Sequence, residues 1–175
     1  MQHMAKCHIG LGAASRQDGS PAVFDYITNM ATYELPTIND LLSRFYTIRN
    51  EAAARTRDQS EALTTRNGAR GLLRSGATLK ALAALIEKEF DAAFGEMLAV
   101  LRHMQTVPGI DYRVCRDQAF LRARDLVPVL RGAANLEKWF AMINRGAAKD
   151  VIDKRINALF QKIDYRFREF DVGLD

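Results

Sequence analysis

The sequence predicts an all-α protein of five to six helices, an elongated bundle built on one long central helix at about residues 76–106. Three observations carry this. Apolar residues recur at steps of three and four along most of the chain, no stretch alternates with period two, and no segment repeats at a fixed interval. With 175 residues, 48% hydrophobic and 26% charged, the chain has enough apolar material for one core.

Residues 1–19 hold Gly10, Gly12, Ser15, Asp18 and Gly19 without a sustained period and read as a flexible N-terminal arm, with 20–175 as a single all-helical domain. Ser20 and Pro21 form an N-cap and first-turn pair, and Val23, Ile27 and Met30 follow at helical spacing to about Tyr33. Pro36 breaks that helix. Thr37, with Asp40 three residues on, restarts one as a capping box, and Ile38, Leu41, Leu42, Phe45 and Ile48 make its buried stripe. Past Asn50 the pattern thins, because Leu63 is the only large apolar residue before Leu72. That predicts a projecting helix, or one that gains its partner in an assembly.

The central helix carries Leu79, Leu82, Ile86, Phe90, Ala93, Met97, Leu101 and Met104 on one face, widened by Leu85, Phe94 and Leu98. Ser75 or Thr78 is expected to cap its start, and Pro108-Gly109 to end it. Asp111 caps the next helix, where Tyr112, Cys115, Phe120 and Leu121 alternate with Arg113, Arg116, Arg122 and Arg124. Pro128 is expected to kink or stop it near Asp125. A short helix from Asn135 buries Leu136, Trp139, Phe140 and Ile143 and closes at Gly146. The last runs from about Lys149, with Ile152, Ile156, Leu159, Ile163, Phe167 and Phe170 on one face.

The residues offer little chemistry. Cys7 and Cys115 are too few for a disulfide framework or a four-cysteine zinc site. His3, Cys7 and His8 lack a fourth ligand, and Glu87, Glu89, Asp91, Glu96 and His103 lack the repeated Glu-x-x-His of a carboxylate-bridged metal pair. No nucleophile–base arrangement can be read from three histidines, and Gly71 to Gly76 lacks the lysine of a phosphate-binding loop. A non-enzymatic protein without cofactor or metal is expected. No secretory leader is legible at the N-terminus and no run of about 18 apolar residues occurs, so no integral membrane segment is expected either.

Charge supplies the first functional lead. The net charge is +4, and arginine outnumbers lysine 18 to 7, which favours flat, two-pronged contact with phosphate or carboxylate. Residues 41–75 hold seven arginines against Glu51, Asp58 and Glu61. Arg66, Arg70 and Arg74 stand four apart, so on a continuing helix they would share a face beside the amide-rich start of the next helix, a place for an anion or DNA.

The second lead is a resemblance. The run from Arg57 to Leu82, sharpest at Ala69-Arg-Gly-Leu-Leu-Arg-Ser-Gly-Ala77, resembles a segment of tailed-phage internal virion, or DNA-ejection, proteins, in which a basic helix passes through such a turn into a long helix. Glu89-Phe90 and Phe94 echo the Glu-aromatic pair and further aromatics of that second helix. Over about residues 55–100, the resemblance implies a structural or assembly protein of the virion, near the portal or neck or internal to the particle, assembled in the host cytoplasm. It implies a homo-oligomer that contacts other virion proteins and meets viral DNA without reading its sequence. The wide apolar arc of the central helix suggests the interface, through Leu79, Leu82, Ile86, Phe90, Met97, Leu101 and Met104. Two other readings stay open: a cytoplasmic helical adaptor or regulator of a protein or nucleic acid, and a ligand-sensing bundle, which would need an enclosed pocket.

Overall fold

A computed structural model describes residues 37–143 and 146–173. It contains five helices: α1 (Ile38–Ala69), α2 (Gly76–Gln105), α3 (Tyr112–Ala133), α4 (Leu136–Ile143) and α5 (Gly146–Asp171). The fold is all-α, with no strand among the described residues. The expected arm at 1–19 and the helix ending near Tyr33 lie outside them.

The start of α1 is fixed by the expected capping box. Thr37 is extended, its Oγ1 accepts from the Asp40 amide at 3.3 Å, and Asp40 Oδ2 accepts from the Thr37 amide at 2.6 Å. That backbone hydrogen bond, with a second from the Thr37 hydroxyl, holds the Asp40 carboxyl below its usual range.

α1 does not project beyond Asn50. It runs unbroken for 32 residues and its buried stripe continues as Ala52, Thr56 and Ser60, at 0%, 0% and 3% exposure. The sequence hides this because the stripe changes from large apolar to small residues. Thr56 and Ser60 satisfy their hydroxyls on their own helix, at Ala52 O and Arg57 O, both at 2.8 Å, so each presents a compact surface. Buried alanines are also present on both neighbours, Ala83 and Ala93 of α2 and Ala119 and Ala123 of α3, and α1 packs against both helices.

α2 and α3 form the centre: α1 packs against both, and α4 and α5 pack against the same two helices. α1 and α2 are antiparallel. Asn67 meets Thr78 at one end, Arg55 and Gln59 meet Glu89 midway, and Leu41 and Arg44 line one groove with Val100 and Met104 at the other. Glu89 is 3% exposed. Its Oε2 accepts from Arg55 Nε at 2.8 Å and its Oε1 from Gln59 Nε2 at 3.0 Å. Burial pushes this carboxyl up, but the hydrogen bonds from Arg55 and Gln59 outweigh it and hold the group below its usual range.

α3 is capped by Asp111, whose Oδ1 accepts from the Arg113 amide at 3.0 Å. It passes through Pro128 to Ala133 instead of stopping near Asp125. Pro128 and Arg124, whose carbonyl loses its amide partner, are both on the exposed surface, where water can take that partner's place. The chain then turns through Asn135 in the left-handed region (φ 51°), which separates α3 from α4. α5 begins three residues before the expected Lys149 and buries the whole predicted stripe, with Phe167 at 1% and Phe170 at 6% exposure despite their nearness to the chain end.

Candidate functional site

The turn joining α1 to α2 is built from its glycine and its hydroxyls. Gly71 (φ 69°) sits just past the end of α1. Its amide bonds Gly68 O at 3.0 Å and the Leu72 amide bonds Asn67 O at 2.8 Å, so two of the last carbonyls of the helix are satisfied. Ser75 occupies the N-cap position of α2, yet neither it nor Thr78 caps the helix with its side chain as expected. Ser75 Oγ donates to Leu72 O at 2.6 Å. Thr78 Oγ1 donates to the same carbonyl at 2.8 Å while accepting from Asn67 Nδ2 at 3.0 Å. The motif that carries the virion resemblance is therefore, in this chain, the joint of a helical hairpin.

That joint presents a block of unopposed charge. From residue 62 to residue 86 the sequence has Arg66, Arg70, Arg74 and Lys80 and no acid. All four are exposed, and none has an ion-pair or hydrogen-bond partner among the described residues. Arg66 is in the last turn of α1, Arg70 is its C-cap and Arg74 lies in the turn. The three do not share a helical face, because α1 stops at Ala69; they ring the hairpin tip, with Lys80 on the first turns of α2 and Leu72, 41% exposed, between them.

Elsewhere many of the cations are committed to the fold. Arg116 holds Asp171 through Nε at 3.0 Å and Nη2 at 2.6 Å while lying over Phe120 and Phe167. Arg155 holds Glu87 in the same two-pronged way at 2.9 and 2.6 Å. Arg124 meets Asp164, Lys162 meets Asp91, and Arg131 bridges Glu137 and Asp153. Arg49 and Arg122 both lie over the Tyr46 ring, at 4.8 and 4.9 Å from its centre. Much of the arginine excess thus serves to tie α3 and α5 to their neighbours, while the hairpin tip gathers four exposed cations in a sequence window without acids. Sequence spacing alone missed Lys80; the acid-free window from 62 to 86 is the signal that finds it.

The packing places the predicted interface residues inside the single chain. Leu79, Leu82, Ile86, Phe90, Met97, Leu101 and Met104 are all no more than 3% exposed within the single chain. α1, α3, α4 and α5 together fill the arc that looked too wide for one partner. Among the described residues, the apolar surface left on α2 is the shallow groove of Ala99, Val100 and Met104 beside Leu41 of α1. Cys115 is fully buried and burial pushes its thiol up, which disfavours the reactive thiolate. Among the described residues no three of His, Cys, Asp and Glu gather as a metal group would require, and no helix is long and apolar enough to cross a membrane. No protein-family model, curated protein or solved structure matches this chain.

Proposed function

We propose that this chain is a non-enzymatic structural or assembly protein that meets duplex DNA through its α1–α2 hairpin tip, as a component of a tailed-phage virion near the portal or neck or inside the particle. One observation carries the DNA contact: Arg66, Arg70, Arg74 and Lys80 are exposed and without a partner among the described residues, in a stretch without acids. Four such cations neutralise phosphates without reading bases, which suits a protein that must accept any sequence. The virion setting is supported by the resemblance over about residues 55–100, centred on the residues that build this same tip. Assembly partners in this reading are further copies of the chain and other virion proteins. Because the α2 face is occupied, such contacts use other surfaces of the folded chain or follow a rearrangement of it.

Mass photometry at micromolar concentration, with and without a short duplex, tests the assembly half of the proposal. Discrete multimers, alone or on DNA, are expected; a strict monomer under both conditions overturns it.

A further inference from the structure

We infer that the distal part of α1, residues 55–69, is a strap that detaches from α2 before the rest of the fold opens, and that the Glu89 cluster is its latch. The reasoning starts from what holds each part of α1. Its first half is anchored by Leu41, Phe45 and Ile48, all at most 2% exposed, and by Tyr46, whose ring lies under Arg49 and under Arg122 of α3. Past Ile48 no large side chain is fully buried: the contact is made by Ala52, Thr56 and Ser60, and after Ser60 α1 has no buried residue, with Leu63, Thr64 and Asn67 partly covered.

What ties the strap down is polar. Arg55 and Gln59 grip Glu89, Lys88 Nζ stands 3.7 Å from the same carboxylate, and Asn67 reaches Thr78. Exchanging hydration for one buried carboxylate and its partners brings little net stability, though it fixes one register well. A thin interface held this way opens at a lower free energy than a core of large apolar side chains.

Opening has a specific consequence. Thr78, Leu82, Leu85 and Glu89 follow at steps of four, three and four, so Leu82 and Leu85 lie on α2 between the two residues the strap grips. These leucines are 0% and 8% exposed on the side of α2 that the strap grips, so its release exposes that side. The strap is thus a self-masking contact over part of the very face that looks, in sequence, like an interface. The inference does not depend on DNA binding or on a virion setting.

Amide hydrogen exchange on the full chain at neutral pH tests it. Amides of residues 57–69 should exchange at least tenfold faster than those of residues 41–52 and 86–104. Equal protection across α1 overturns the strap. In Glu89→Gln, exchange in 57–69 and around Leu82 and Leu85 should quicken further, with α3 and α5 unchanged. No acceleration, or a uniform one across all five helices, overturns the latch. Should that variant fail to fold, the gradient along α1 in the unaltered chain still decides the strap.

Discussion

Replacing Ala52 with leucine separates a helix packed along its length from one that projects. Ala52 is 0% exposed, on the α1 face closed against its neighbours. Leucine adds three carbons, which in open apolar space would gain roughly 0.8 kcal/mol each. At this position there is no such space, since Ala52 is fully buried in the packed core. Overpacking of this kind costs about 1–3 kcal/mol. A chain of this size loses about 2–4 °C of midpoint per kcal/mol, so a fall of about 4–8 °C is expected for a cost near 2 kcal/mol. Ala54→Leu, two residues on and exposed, is the control: helix propensity barely differs, and the change should stay within about 0.5 kcal/mol. Thermal unfolding of both variants reads the predicted fall, and urea unfolding gives the same comparison as a shift in midpoint at constant slope. If Ala52→Leu is neutral or stabilising, α1 does not pack as described.

Two glycines should respond with opposite signs. Gly71→Ala meets no neighbouring atom but forces alanine to φ 69°, costing about 1–2 kcal/mol, whereas Gly95→Ala, in mid-helix with open space around it, should gain about 0.5–1 kcal/mol; thermal midpoints check both. The Glu89 carboxyl gives a pH dependence. Its folded value is lowered, so its contribution is present above the ordinary carboxylate range near 4.5 and is lost as pH falls through and below it; urea midpoints between pH 7 and pH 3 should show the loss, and Glu89→Gln should flatten that part of the profile. An unchanged profile in the variant would contradict the hydrogen-bonded cluster.

What the sequence revealed and concealed divides by side-chain size. The stripes of α2 and α5 were legible because Leu, Ile, Met and Phe at helical spacing have one place to go, and Phe167 and Phe170 are buried where the period puts them. The Thr37–Asp40 cap was legible because a hydroxyl and a carboxylate three apart solve a local hydrogen-bonding problem. The far half of α1 was not, since Ala52, Thr56 and Ser60 look the same in sequence whether they face solvent or a close neighbour. Nor could periodicity tell that the central helix's arc would be filled from within. At the tip, Arg66, Arg70 and Arg74 stand out by charge, but the shared face that a continuing helix would give them does not form, because α1 stops at Ala69 and Gly71 takes the left-handed turn. The acids that absorb arginines elsewhere, such as Asp171 for Arg116 and Glu87 for Arg155, lie 55 and 68 residues away along the chain and only the fold brings them together.

The salt dependence of duplex binding tests the central claim most directly. Four cations at the tip imply a slope of log affinity against log salt of about −3.6, or roughly a 150-fold loss between 50 and 200 mM. In the triple variant Arg66→Gln, Arg70→Gln, Arg74→Gln, the slope should fall to about −0.9 and the loss to about fourfold, equally on unrelated sequences. Binding with the same slope in the variant would place the DNA contact elsewhere, and an absence of binding by the unaltered chain at 50 mM salt would contradict the account.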